Sequence, residues 1–522
     1  VLLVPPITDT DLLGQKLAEI TASLPWLLPE GVLTGLLLLL LLTDLIAGKK
    51  GAYWLVVLAV LGFLGHLFTL YLQWQQLVQL QEAPVLMDML RVDGPSLFFR
   101  AIFSVGGLLA VLLGIPYRSG TAPSSSIALR SVGEFYVVLC GLLLGASLMA
   151  LSVNLLMLFL SIEVVSISSY ILTNFNFDKK SAEAGIKYLL FGGISSGLML
   201  YGMSLLYGFG GSLYLGPELV QGLSELSFAP VALALVLAGA GFLFKISAVP
   251  FHIWAPDVYE GAPTPVVAVF SVVPKLAGLA VILRYTAFIQ VLSEQLLLLD
   301  WQWVLSVVAI ITIVVGNFAA LSQRNAKRML AYSSIAHSGF LLVGVIAYSE
   351  YGLSSTMFYA GIYLFMNFAA FLIVRMISRS TGREYIHEYQ GLGKQFPLVG
   401  VLMLLVMISL TGLPPTAGFT AKLLIFSSLW QTYQVSGSTM MALLLLIGLL
   451  NTVVSLFYYL KIPYFMFFKE KQEDEAADDS PIFDKIRMLA GEQILAVLLV
   501  LPLLLLFFKA DWLLNLINLI HF

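Results

Sequence analysis

The sequence predicts an all-α polytopic membrane protein of about fourteen transmembrane helices. Three observations carry that expectation. The 522 residues are 59% hydrophobic and only 11% charged, about half the charge of a soluble chain this long. Apolar stretches of roughly 20 residues, the length a helix needs to cross the hydrocarbon core, follow one another along nearly the whole chain. Two of those stretches are interrupted by proline, one at Pro250 and one at Pro414 and Pro415.

Composition also excludes several function classes. A formal net charge of −3 leaves no basic footprint for nucleic acid. The single cysteine, Cys140, excludes a disulfide framework and a cysteine-ligated zinc or iron–sulfur site within the chain. The first residues, VLLVPPITDTDLLGQKLAEI, lack a basic leader and a small-residue cleavage site, so no signal peptide is expected there. The Gly-rich YGFGG follows an apolar helix rather than a strand, which is the wrong context for a dinucleotide fingerprint.

Read against Gly, Pro and charge punctuation, the spans fall near 27–47, 53–73, 95–115, 132–151, 154–174, 182–208, 229–256, 263–290, 301–321, 327–347, 353–378, 397–431, 438–468 and 490–509. The seventh, 229–256, is expected to break at Pro250. The twelfth, 397–431, is too long for one straight helix and contains GLPPTAG. The segment KEKQEDEAADDSPIFDKIR, from Lys469 to Arg487, has the mixed charge of a solvated linker. Two broken helices five spans apart suggest an internal repeat of spans 4–8 and 9–13. An odd number of helices per unit would invert the second unit relative to the first. The expected divisions are an N-terminal segment with three spans at 1–130, a first repeat at 131–290, a second at 300–468, and the linker with the final helix at 469–522.

Lysine and arginine in the loops set the orientation. Alternate loops carry Lys49 and Lys50; Arg118 and Arg130; Lys179 and Lys180; Arg324, Lys327 and Arg328; Arg379, Arg383 and Lys394; and Lys469, Lys471, Lys485 and Arg487. The opposite loops carry almost none, with Arg91 and Arg284 the main exceptions. The basic loops are therefore expected on the cytoplasmic side and both termini on the other.

Removing the loop charges leaves Glu163, Lys187, Lys245, Lys275 and Lys422 inside spans. A charge at the centre of an inserted helix costs roughly 2.5–3.5 kcal/mol on translocon scales, and such residues commonly mark ion pathways. Snorkelling suits Lys461, near a helix end, but not Lys245 or Lys422, which lie beside breaks. A salt bridge between Glu163 and Lys245 serving structure alone is the competing account. Functionally, burial disfavours an ammonium and a nearby carboxylate favours it, so a buried lysine with a carboxylate partner is a switchable proton holder. Broken helices line cavities rather than lipid, which would bring water to Lys245 and Lys422. The three lysines 245, 275 and 422 should then share a depth near mid-membrane. His252 after the first break, and Tyr332 and His337 on the tenth span, are relay candidates; helix-to-helix hydrogen bonding is their bland alternative. Asp257 and Glu260 fall at the cytoplasmic mouth, as proton acceptors or as loop caps.

Several stretches carry a resemblance. FKISAVPFHIWAPDVYEGAPTPV, LFLSIEVVSISSYIL, EAGIKYLLFGGISSGLMLYG, KRMLAYSSIAHSGFLL and GLPPTAGFTAKLLIF resemble the antiporter-like membrane subunit N (subunit 2) family of respiratory complex I, the proton-pumping NADH:quinone oxidoreductase. The likeness runs from the fourth span to the thirteenth. The wording WAPDVYEGAPTPV resembles subunit N rather than its sister subunits L and M. The resemblance implies fourteen helices, two inverted five-helix repeats, and breaks in the seventh and twelfth. By motif it implies that Glu163 is the fifth-helix glutamate, Lys187 the sixth-helix lysine, Lys245 the central lysine, Lys275 the connecting lysine and Lys422 the twelfth-helix lysine of proton transfer.

The same resemblance implies a translocase subunit without a redox centre or cofactor of its own, with NADH, FMN, iron–sulfur clusters and quinone in partner subunits. The implied partners are subunit M, small membrane subunits and, indirectly, the peripheral arm, within a bacterial inner membrane. The alternatives are a subunit of a multi-subunit cation/proton antiporter, a ferredoxin-dependent photosynthetic relative, and a purely structural anchor. Buried charges argue against an anchor, which needs none.

Overall fold

A computed structural model describes residues 10–47, 51–80, 82–115, 132–296, 300–469 and 490–520. Lys49, Lys50, Arg118, Arg130, Lys471, Lys485, Arg487 and nearly all of the 469–487 linker lie outside the described residues.

Among the described residues the chain is helical, with one small hairpin. A short α1 (Thr10–Ser23) leads into α2 (Leu28–Ala47) and α3 (Ala52–Leu80). The strands β1 (Ala83–Val85) and β2 (Leu90–Val92) pair antiparallel and turn the chain into α4 (Gly94–Gly114). A first run follows: α5 (Val132–Leu151), α6 (Leu155–Thr173), α7 (Lys179–Gly210), the short α8 (Pro217–Ser224), half-helices α9 (Phe228–Lys245) and α10 (Trp254–Gly261), and α11 (Thr264–Leu296). The second run has α12 (Trp301–Leu321), α13 (Ala326–Ile346), α14 (Glu350–Thr381), the short α15 (Leu392–Gln395), half-helices α16 (Pro397–Thr411) and α17 (Ala417–Ser436), and α18 (Thr439–Phe467). Helices α19 (Ala490–Phe508) and α20 (Asp511–Ile520) close the chain. Among the described residues thirteen helices are long and apolar enough to cross a membrane, and α16 is a shorter apolar helix. Polar caps mark several helix starts: Asp93 on α4, Asn154 on α6, Asp178 on α7 and Asn325 on α13 each accept a backbone N–H of the first turn.

The first break contains Pro250, as expected, and opens ahead of it. Helix α9 stops at Lys245, five residues ahead of Pro250. Proline has no N–H and its ring clashes with the carbonyl four residues earlier, so no helix can run on through Pro250; the chain has already left it at Ser247, which takes a φ of +58°. The second break is as expected: α16 ends at Thr411, Gly412 takes a left-handed turn at φ +86°, and α17 starts at Ala417.

Three helices form the centre. In α11, α13 and α14 the most apolar stretch is 94% buried, against 22–39% for α2, α3, α7, α12, α18 and α19, which form the rim. The rim carries rows of exposed Leu, Ile and Phe, such as Ile186, Leu190 and Ile194 on α7, as lipid or apolar protein contact requires. Arg375 and Arg379 of α14 hold Glu492 of α19 at 3.7 and 3.1 Å, which ties the final span to the centre.

Candidate functional site

The buried lysines gather around one turn of α13. Lys245 ends α9, and its ammonium donates to Ser166 Oγ of α6 at 2.7 Å. The carbonyl freed at Ile246 accepts the Ser338 hydroxyl of α13 at 2.5 Å. Lys275 of α11 donates to the same Ser338 Oγ at 3.4 Å. Gly278 permits this crowding, because a Cβ there would lie 2.9 Å from the side chains of both Lys245 and Ile246. In the second run Lys422 reaches back across the break to the Thr411 carbonyl at 2.8 Å and sits 4.6 Å from the centre of the Phe340 ring, a favourable cation–π arrangement. Ser338 and Phe340 are two residues apart, about 3 Å of helical rise. The three lysines therefore gather near one level of α13, Lys245 through the carbonyl of its neighbour Ile246. The positions also explain an asymmetry. Lys245 precedes its break and Lys422 follows its own, yet Lys422 folds back so that its ammonium meets the last carbonyl of α16, the end of a helix that favours a cation.

The direct pair between Glu163 and Lys245 is not formed. Glu163 Oε1 instead accepts the Ser196 hydroxyl of α7 at 2.5 Å, and it joins no ion pair among the described residues. Glu163 and Ser166 are three residues apart on α6, so Lys245 docks one turn away from the carboxylate. Lys187 also departs from its expected place. It is not buried: 41% of its side chain is exposed, and it pairs with Glu183 at 2.8 Å and Asp257 at 2.9 Å. Because α7 starts at Lys179, Lys187 stands only two turns from the helix end, beside α10.

Asp257 and Glu260 belong to that same surface network. Arg328 binds Asp257 at 2.7 Å and Glu260 at 3.0 Å, and Lys180 binds Glu260 at 3.1 Å. Arg328 lies ten residues from Ser338, so the network is about 15 Å along α13 from the lysine level, half the hydrocarbon thickness.

His337 is held by two phenols. Nδ1 meets Tyr359 Oη at 2.6 Å and Nε2 meets Tyr459 Oη at 3.0 Å, while Tyr459 Oη also meets Ser333 Oγ at 2.5 Å. A neutral imidazole donates from one nitrogen and accepts at the other, so this row can pass a proton by exchanging roles. Tyr332 makes no hydrogen bond to the row. It is five residues from His337, about 140° around the helix, and faces elsewhere. His252 sits in the turn inside the first break, after Pro250, with Nδ1 unpaired among the described residues.

Comparison with known proteins now bears on this arrangement. The NADH:quinone oxidoreductase/Mrp antiporter transmembrane family matches residues 152–449, which hold Glu163, Lys187, Lys245, Lys275, Lys422 and both breaks. The chain belongs to this family. Within this family it is 40% identical over 451 residues to NADH-quinone oxidoreductase subunit N 2 of Chloroherpeton thalassium, covering 85% of each chain. It is 42% identical to NAD(P)H-quinone oxidoreductase subunit 2 of Gloeobacter violaceus, covering 87% of this chain and 84% of that one. Among solved structures it is similar to a chain of respiratory complex I from Thermus thermophilus, with a TM-score of 0.74, 30% identity, and 93% and 98% of the two chains covered.

Sequence reasoning missed the partners of the lysines. Ser333, Ser334, His337 and Ser338 form a polar stripe at i, i+4 spacing on an otherwise apolar helix, and that spacing was the available signal. Tyr359 and Tyr363 repeat it on α14. A second omission lies among the first three spans. Arg100 of α4 is wholly buried and binds Glu30 of α2 at 2.8 Å and Gln73 of α3 at 2.7 Å. Both charges stood inside predicted spans.

Proposed function

We propose that this chain is the proton-translocating membrane-arm subunit of an NADH:quinone oxidoreductase, moving protons through Glu163, Lys187, Lys245, Lys275 and Lys422. The observation that carries this is the row of three buried lysines tied to one turn of α13, with His337 beside them. Lys187, Asp257, Glu260 and Arg328 form the uptake mouth on the cytoplasmic face of an inner membrane, and the basic loops lie on that face. The two five-span runs act as inverted repeats. No step here requires an electron in this chain; NADH, FMN, iron–sulfur clusters and quinone belong to partner subunits. The names of the 40–42% identical relatives favour this over an independent cation/proton antiporter.

The test is Lys245→Ala in the complex purified from native membranes and reconstituted in vesicles. The complex should assemble with its flavin and iron–sulfur subunits, and the protons moved per NADH oxidised should fall. Lys245→Arg should also lower the yield, because arginine keeps its proton throughout the accessible range. An assembled Lys245→Ala complex with normal proton yield would refute the role. Purification without any flavin or iron–sulfur subunit would turn the assignment to the antiporter.

A further inference from the structure

The first break lies between Phe244 and Trp254, and one side chain crosses it. In an unbroken helix the Phe244 carbonyl would accept the N–H of Ala248. Here that N–H turns to the Leu243 carbonyl at 2.9 Å, and the Phe244 carbonyl accepts the Ser247 N–H at 3.0 Å and the indole N–H of Trp254 at 3.3 Å. Trp254 opens α10 and is buried, so its indole joins the two half-helices. The indole also stacks on Tyr188 of α7, with 4.2 Å between ring centres and 11° between planes. Tyr188 adjoins Lys187, and Asp257 lies three residues beyond Trp254. Helices α7 and α10 are therefore bound twice, by the Lys187–Asp257 pair at the surface and by this stack beneath it. On its inner side the indole packs against the rings of Phe244 at 5.4 Å and Tyr259 at 6.5 Å. Those two rings face lysines: the Lys245 ammonium is 6.0 Å from the centre of Phe244, and the Lys275 ammonium is 5.9 Å from the centre of Tyr259.

We infer that Trp254 is a positioning residue for Lys245 and Lys275, fixing the end of α9 and the Tyr259 ring against the Lys187–Asp257 pair. This rests on the proton-transfer function proposed above. Lys245 is the last residue of α9, where a helix end lacks its usual backbone partners. The turn that follows, with Ser247 at φ +58°, leaves the helical path, so the end of α9 needs a tie from outside the helix. The indole N–H supplies one. Buried indoles usually find an acceptor; the acceptor here is the carbonyl one residue ahead of Lys245. Without that bond the last turn of α9 would shift relative to Ser166, to which Lys245 donates at 2.7 Å. Hydrogen bonds weaken steeply as their geometry departs from the ideal, so a small displacement of α9 would alter how Lys245 holds its proton. Trp254 itself neither takes up nor releases a proton.

The test compares two tryptophans in the whole complex. Trp301, at the start of α12, is also buried and also spends its indole N–H, on Gln290 Oε1 at 2.9 Å, but it touches none of the lysines. Trp254→Phe and Trp301→Phe each remove one such bond and a similar volume. Only Trp254→Phe should lower the protons moved per NADH oxidised. Only Trp254→Phe should also shift the pH profile of that yield, by about half a unit or more, because a displaced Lys245 meets different surroundings. Where the smaller ring prevents assembly, the benzothienyl analogue of tryptophan at position 254 carries the same test, since it keeps the shape and replaces the N–H with sulfur. Equal losses in the two variants, or an unshifted profile at position 254, overturn the positioning role. They leave the proton-transfer function standing so long as Lys245→Ala lowers the yield. If Lys245→Ala keeps a normal yield, the function falls and takes the positioning role with it.

Discussion

At the scale of single residues, charges were legible in the sequence and their partners were not. A lysine in an apolar run stands out because its insertion is costly, so Lys245, Lys275 and Lys422 could be picked directly. Serine and tyrosine carry no such penalty, and only packing decides which of them turn inward. Tyr332 and Tyr459 illustrate this, since the sequence favoured the first and the structure joins the second to His337 and Ser333. Tyr459→Phe should destabilise the protein by about 1–3 kcal/mol, the usual penalty for stranding buried polar partners, and should lower proton yield. Tyr332→Phe should alter neither. Thermal melting of the purified complex together with proton yield per NADH checks both, and an equal effect of the two substitutions would sink the assignment. Lys187 was misjudged for a related reason: membership of a span says nothing about depth until the helix start is known.

At the scale of elements, span positions followed the apolar runs closely because a helix has few other ways to satisfy its backbone in lipid. The breaks were legible as prolines, but the place where α9 stops was not, since the chain leaves the helix at Ser247, ahead of Pro250. Gly412 makes the second break testable. It has a left-handed φ of +86°, and a Cβ there would lie 2.7 Å from Lys422 Cδ. Gly437 shares the left-handed backbone at φ +64° but faces open space. Alanine at either site should cost about 1–2 kcal/mol of backbone strain. Only Gly412→Ala should also push Lys422 off the Thr411 carbonyl and lower proton yield. Equal proton yields in two equally destabilised variants would show that the Lys422 position does not matter.

At the scale of the whole molecule, which helices form the centre was not legible, because lipid and protein interior are both apolar. The clamp that holds α2, α3 and α4 together was passed over although Glu30 and Arg100 both stand inside spans, because only the packing shows that they meet. Arg100→Ala should cost about 3–5 kcal/mol by leaving a buried carboxylate unpaired, and the double variant Glu30→Leu, Arg100→Met should recover most of it. The yield of assembled complex and its melting temperature measure both. The contact of Ser338 with Ile246 has a different kind of consequence. A serine hydroxyl has one hydrogen, and here it is spent on an amide oxygen, which does not take up a proton and hand it on. The bridge from Lys275 through Ser338 to the first break is therefore a tie rod and not a wire. A change at Lys275 is expected to shift the Ile246 carbonyl at the end of α9 through this bond and not to pass a proton along it. A ¹³C=¹⁸O label at Ile246 should shift its infrared band in Lys275→Met, and an unmoved band would mean that the rod is slack.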